Sequence, residues 1–471
     1  MTLGDAFRYR PDGVLFMTST AYNQIYGAKK NNVKKSKFYK SFQRNKHFPN
    51  VLTTTDEAAH AKTRKVLNSV FSAETVQSAE AFIIKHVDRW CEIVSEGSTE
   101  WTEPKNVSAQ IDFMTFDIMG DLAFGVDFGT QEAEENPMKA IPETIHGFLK
   151  RLNTIGHSPL LGLFVWLKPL GLDVLLQATA PKSVKDYYKF LDSSVGERIK
   201  QEDIIASRKD GDSKDIRRDL FHSLYSSKDP ETGAPSFSHA HLRSEASVLV
   251  VAGADTTAAA MSAILFYLTR NERAYKKVEE EVRSTFTSVD EIRSGAKLSS
   301  CRYLRACINE SQRMSPSGLT EAPREVLKGG LEVDGTLLPA GTTVGCAAWA
   351  LSHSEEAYDD PWVYRPERWI VDPATGVTTE DVARAGSLVH PFLIGPGNCV
   401  GQKVAMMELL IFVGRVVWRM DLKAGDGKEE TYGGGQRNKG WGERYRGSFK
   451  VRDAYITLKD GPVLRVRERS L

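Results

Sequence analysis

Apolar residues recur at helical spacing through most of the chain. "TDEAAHAKTRKVLNSVFS", from Thr55, opens with a capping residue and an acidic first turn, which predicts a helix start. "AETVQSAEAFIIKHVDRWCEIVSEG" from Ala73 and "IDFMTFDIMGDLAFG" from Ile111 continue the helical period. The stretch from Pro159 to Pro181 is apolar but broken by Pro and Gly, and "KSVKDYYKFLDSSVGERIKQEDI" from Lys182 resumes a helix. A long helix is predicted over 239–270, followed by "RAYKKVEEEVRSTF" from Arg273 and "CRYLRACINESQRMSP" from Cys301. "QKVAMMELLIFVGRVVW" from Gln402 is apolar at helical spacing and predicts a buried helix. Strand character is confined to "GVLFMTS" from Gly13 and to short pieces after Pro323, where "VDG" at 333–335 marks a hairpin turn. The fold class expected is mainly α with a small β part.

Composition narrows this picture. The chain has 471 residues with 62 Lys+Arg against 61 Asp+Glu, so no basic surplus points to nucleic acid. A hydrophobic content of 41% supports a large core. Length alone suggests about three domains. The helical pattern nevertheless runs on both sides of the charged loop "SRKDGDSKDIRRD" (Ser207 to Asp219), and no repeat appears, which favours one domain over 1–471. The five cysteines form neither a CxxC nor a Cys/His cluster, so a reducing compartment is expected. The longest apolar run, "SVLVVAGADTTAAAMSAILFYL", carries Asp255 and two threonines mid-run and is not expected to span a membrane.

Within that run, "AGADTT" (Ala252 to Thr257) places Gly253, an acid and two hydroxyls in the middle of the long helix. The hydroxyls can bond backward to carbonyls and open a kink, and the acid can deliver protons; the alternative is a helix with a solvated Asp. "ESQR" sets Glu310 and Arg313 on one helical face, and "YRPERW" supplies Arg368, which can share Glu310 in a charge network. "HAKTR" places His60 and Arg64 four apart, either as a solvated face or as a carboxylate clamp. In "PFLIGPGNCVG", Cys399 sits where a glycine-rich loop feeds a helix N-terminus. Backbone N–H groups and the helix dipole favour a thiolate there, although a buried free cysteine has the same surroundings.

"AGADTT", "ESQR", "PERW" and "FLIGPGNCVG", in this order and at these separations, resemble the cytochrome P450 family of haem-thiolate monooxygenases from about Tyr9 to the C-terminus. The wording is most similar to fungal members that serve secondary metabolism. The resemblance implies the cytochrome P450 fold and haem b with Cys399 as axial thiolate ligand. It also implies cofactor contacts from Phe392, Gly395 and Gly401, an oxygen groove at Ala252 and Gly253, and an Asp255–Thr256 acid–alcohol pair. By the same match Glu310, Arg313 and Arg368 form a structural triad, and His60, Arg64 and Arg324 hold the haem propionates.

Further implications are a monomer that draws NADPH electrons through NADPH-cytochrome P450 reductase and oxygenates a lipophilic small molecule; Lys403 is either part of the basic face where that reductase docks or a solvated lysine. Pocket walls are expected from the segment before His60, Pro159–Pro181, Val248–Thr256 and "SGLT" (Ser317 to Thr320). Two departures stand out. Gly397 replaces the family's usual basic residue, and the chain starts inside the homologous region without the usual membrane anchor, so a cytoplasmic or peripherally membrane-associated protein is expected. The competing readings are a haem-binding protein without turnover and a haem-free helical scaffold.

Overall fold

The computed structural model describes every residue except 1–3, 28–30, 45–46, 208–216, 218, 230–231, 320, 356, 441–442 and 471, so most of the charged loop and Thr320 lie outside the described residues. The first helices are α1 Ser19–Tyr22, α2 Glu57–Val70, α3 Ala73–Ser95, α4 Ser108–Phe124 and α5 Ile141–Gly156. Next come α6 Leu161–Leu167, α7 Leu172–Thr179, α8 Lys182–Ser207, α9 Leu220–Tyr225, α10 His239–Arg270 and α11 Glu272–Thr285. The last are α12 Ala296–Ser299, α13 Arg302–Met314, α14 Ala348–Ser352, α15 Thr379–Gly386 and α16 Gln402–Arg419. The strands are β1 Ala6–Arg10, β2 Gly13–Phe16, β3 Val33–Lys35, β4 Lys105–Asn106, β5 Arg324–Val326 and β6 Leu331–Val333. They continue with β7 Thr336–Leu338, β8 Thr343–Cys346, β9 Met420–Ala424, β10 Val451–Ala454, β11 Ile456–Lys459 and β12 Val463–Glu468.

The core is built around α10. That helix is apolar on nearly all sides, as a helix surrounded by protein must be, and residues from Leu242 to Leu268 are largely buried. The segment weighed as a membrane span is therefore a core helix whose most apolar window is 72% buried. Ser238 caps α10 by accepting from the His241 N–H. The helix packs most extensively on α4, and Gly253 permits the approach: a Cβ there would stand 2.4 Å from Met119 Sδ. α16 packs on α3 with Trp90 edge-on to Phe412 at 5.1 Å.

A five-stranded sheet of order β1-β2-β8-β5-β3 gathers N-terminal strands onto strands that follow α13. β2 runs parallel to β8, and β3 runs antiparallel to β5 with Lys35 opposite Arg324. The predicted hairpin is β6–β7, turned by Asp334 (φ 46°) and Gly335 (φ 71°), a pair of left-handed residues suited to a two-residue turn. The Pro159–Pro181 stretch departs from expectation. It folds as α6 and α7, bent by 88° at Gly171, with Leu160, Leu163, Trp166, Leu170 and Leu175 exposed. Two short helices meeting at a sharp bend cannot bury all the apolar faces that their sequence carries.

Candidate functional site

The loop before α16 is shaped by its glycines. Gly395 has φ 67°, and a Cβ there would lie 2.0 Å from the Tyr26 carbonyl oxygen, so no other residue fits this crossing of two backbones. The Phe392 carbonyl accepts from the Cys399 N–H at 2.7 Å, which closes the loop and presents the side chain at its tip. Cys399 is exposed, while Cys91, Cys301, Cys307 and Cys346 are buried; all five are free. Burial of the site pushes the Cys399 thiol up. The Gly401 N–H, the Arg64 charge and the Gln402 N–H pull the other way. The stabilisation of a thiolate expected from the helix start is present but smaller than the desolvation it opposes. A metal cation coordinated there would reverse that balance by favouring the thiolate.

Beside this loop stands a group of bases. Arg64, on α2, donates through Nη1 to the Asn398 carbonyl oxygen and through Nε to Asn68 Oδ1 at 2.8 Å. Arg324 donates to the Tyr39 hydroxyl at 3.1 Å, and its Nη2 fills the space over Gly397, where a Cβ would meet it at 2.8 Å. The Arg324 guanidinium of β5 therefore lies directly over the backbone at Gly397. Lys35, opposite Arg324 on β3, donates to the Val51 and Leu52 carbonyls.

The electrostatics of this group are one-sided. His60 is lowered to about 3, by burial first and then by Lys35, Arg64 and Arg324. Lys35 is lowered to about 7, by burial and by Arg324 and Arg64, with Glu245 opposing. Glu245 is itself raised to about 7 by burial, and its Oε2 has no partner among the described residues. Several bases therefore disfavour one another's charge around a space that an anion would relieve. Lys35 and Tyr39 escaped sequence reasoning because "VKKSKFYKSF" reads as a solvated basic run, and only the β3–β5 register turns Lys35 toward the site.

On α10, Ala252 is exposed while Ala254, Asp255 and Thr257 are buried, so the helix presents Ala252 to an open space. The Thr256 and Thr257 hydroxyls donate back to the Ala252 and Gly253 carbonyls, the backward bonding that the sequence suggested. Ser317 Oγ donates to the Thr256 carbonyl at 2.8 Å. Asp255 is not solvated: His146 Nε2 on α5 lies 3.4 Å from its Oδ1, and its Oδ2 is buried with no partner among the described residues. Burial raises the Asp255 carboxyl, more than His146 lowers it. His146 stood in the sequence as one histidine among ten, with no local pattern to single it out.

Glu310, Arg313 and Arg368 do come together, away from the bases above. Glu310 receives Nε and Nη2 of Arg313 at 2.9 Å each, Arg368 Nε at 3.2 Å and the Arg365 N–H at 3.0 Å. Trp369 Nε1, from the same "PERW" turn, adds a further bond at 2.9 Å; an indole carries no charge that would mark it in the sequence as a partner of Glu310. The Glu310 and Arg313 side chains are wholly buried.

A cavity of about 730 Å³ lies beside α10 at Val248 and Val251, walled by Phe42, Phe48, Phe148 and Leu149. The segment before His60 and the 168–177 stretch line it as expected, but among the described "SGLT" residues, 317–319, none does. Arg44, Lys168, Asp173, Asp192 and Arg243 also line it, so the wall is less uniformly apolar than the sequence suggested.

Comparison with known proteins places these features in context. The family model described as Cytochrome P450 matches residues 7–435. Cytochrome P450 monooxygenase fscF of Fusarium equiseti is 32% identical over 471 residues, covering 99% of this chain and 85% of the relative. Cytochrome P450 monooxygenase poxM of Penicillium oxalicum is 33% identical over 470 residues, covering 98% and 83%. A cytochrome P450 monooxygenase of Gibberella zeae is 32% identical over 441 residues, covering 93% and 95%. The crystal structure of the cytochrome P450DA heme domain superposes with a TM-score of 0.70 at 15% identity, covering 97% of this chain and 88% of that one.

Proposed function

The chain belongs to the cytochrome P450 family of haem-thiolate monooxygenases, and from that premise we propose how its residues divide the work on a lipophilic small molecule. The observation that carries the reading is Cys399 exposed at the mouth of α16 beside bases that lack a sufficient counter-anion. This donor set fits haem: a soft sulfur for iron and cations for two propionates. Cys399 is the iron ligand, and the Gly401 and Gln402 N–H groups hold the charge on its sulfur. His60, Lys35, Arg64 and Arg324 take the propionates, with Arg324 standing in for the absent basic residue at 397. Phe392 and Gly395 shape the loop that lies against the ring.

Bound haem supplies reductive activation of dioxygen, with electrons from NADPH delivered by a cytochrome P450 reductase. The protein's own residues do the rest. Asp255 holds a proton at its buried carboxyl, and the Thr256 hydroxyl, anchored on the Ala252 carbonyl, orients it toward the open space beside Ala252 and Gly253. The cavity at Val248 and Val251 holds the substrate, and its aromatic wall suits a terpenoid or polyketide of the kind handled in fungal secondary metabolism. Glu310, Arg313 and Arg368 brace the fold, and residues 1–471 act as one domain. Arg324 over Gly397 speaks against one of the two departures that motivate the alternative of haem binding without turnover.

The test is the absorption spectrum of reduced, carbon-monoxide-treated protein. A strongly red-shifted Soret band that Cys399→Ser abolishes is expected. Isotope-labelled dioxygen should then appear in the product from a responsive member of a terpenoid and polyketide panel. A conventional Soret position, or label absent from every product, defeats the reading.

A further inference from the structure

α5 carries His146 to a boundary between Asp255 and a second cavity. The His146 side chain is 22% exposed against 5% for Asp255, across a separation of 3.4 Å. His146 also lines a cavity of about 760 Å³ whose other walls include Lys150, Lys450, Arg452, Asp453 and Lys459. Lys150 and Arg452 are exposed, so this polar cavity opens to solvent, and among the described residues it shares none with the lining of the aromatic-walled one. Asp255 thus has one oxygen on a half-buried imidazole that reaches water, while its other oxygen is buried with no partner among the described residues.

We propose that His146 relays protons between the water of the polar cavity and Asp255, by a route separate from the substrate cavity. The inference rests on the reading of Asp255 and Thr256 as the acid–alcohol pair. In the relay one proton enters the imidazole ring from the cavity and one leaves Nε2 for Asp255 Oδ1. The imidazolium returns to imidazole, the carboxylate becomes the neutral acid, and no electron moves. The ring then carries its proton on Nδ1; exchange with cavity water, which removes that proton and returns one to Nε2 as the ring turns outward, restores the Nε2–H.

The surroundings suit this exchange. Burial lowers the His146 imidazole, but its bond to Asp255 lifts it beyond that loss, so it ends above the ordinary histidine range. Asp255 is raised by burial, so donor and acceptor approach each other in proton affinity. The other charged groups on His146 are Asp112 of α4, ion-paired with Lys459 of β11, the Lys450, Arg452 and Asp453 group around β10, and Lys150 on its own helix. Tyr187 of α8, its hydroxyl buried and unpartnered, lies on the Asp255 side.

His146 is a relay and positioning residue rather than a catalytic one, and its test needs no substrate. In haem-loaded ferric protein the carboxylic-acid C=O infrared band that Asp255→Asn removes identifies Asp255. Its shift on transfer to heavy water then times exchange of the acid proton. Native exchange should be fast and should slow by about ten-fold or more in His146→Phe. His146→Gln, which retains a donor for Oδ1 but cannot take up and release a proton, should be equally slow. Native-rate exchange in either variant overturns the relay, because recovery by Gln alone reduces His146 to a holder of Asp255. Asp255→Asn separately tests the parent reading. If it leaves reductase-driven NADPH consumption unchanged, the acid–alcohol pair falls. If it lowers consumption while exchange ignores His146, the relay alone falls.

Discussion

Replacing Glu310 by Ala removes the single carboxylate that two buried arginines share. Its oxygens receive Arg313 twice, Arg368, the Arg365 N–H and Trp369 Nε1. The carboxyl is held below its ordinary range because the Arg313 and Arg368 charges and bonds outweigh a large burial cost. Removing one partner of a buried pair costs about 3–5 kcal/mol, because the remaining charge stays desolvated. At roughly 2.1 cal/mol/K per residue, the 471-residue chain has an unfolding entropy of about 1 kcal/mol/K, so the melting temperature should fall by about 3–5 °C. The assay is thermal melting of the haem-loaded protein followed at the Soret band and by far-UV circular dichroism. Glu310→Leu with Arg313→Met removes two of the three charges and should recover part of the loss. A melting temperature within about 1 °C of native in Glu310→Ala would refute the reasoning, since an intact neighbourhood after losing five bonds means that the network contributes nothing.

Gly395→Ala forces a Cβ against the Tyr26 carbonyl from a left-handed backbone, so the loop must shift. Haem content per protein, read from the Soret-to-protein absorbance ratio, should drop well below native, whereas Gly440→Ala, with open space around it, should match native. The bases beside Cys399 predict a pH signature in haem-free protein. His60 falls from 6.5 to about 3 on folding, so between those values the unfolded chain binds the extra proton and stability rises with pH. Lys35 falls from 10.5 to about 7, giving a second rise between pH 7 and 10.5. Melting-temperature scans should show both rises, with Lys35→Met flattening the upper one and His60→Gln the lower; curves unchanged by either substitution would contradict the arrangement.

Most of the helical framework was legible in the chain itself. The long helix at 239–270, the capped start at Asp56 and the "VDG" turn follow from local period, capping and turn chemistry, which act within a few residues. So did the place of Cys399, because a glycine-rich loop and an apolar helix adjoin it in sequence. Helices α6 and α7 were less legible, since period and punctuation do not say which apolar face will find a partner.

What tertiary structure alone decided was partnership. Arg324 meets Tyr39 across 285 positions where β3 and β5 lie in one sheet, and its Nη2 also reaches the space over Gly397. Trp369 reaches Glu310 across 59 positions once the "PERW" turn folds over α13. His146 gains meaning only where α5 brings it against Asp255 of α10. Local sequence sets which groups are offered, through propensities that depend on near neighbours. Which buried charge faces which is set by the packing of distant elements, because only there does desolvation make a missing partner costly.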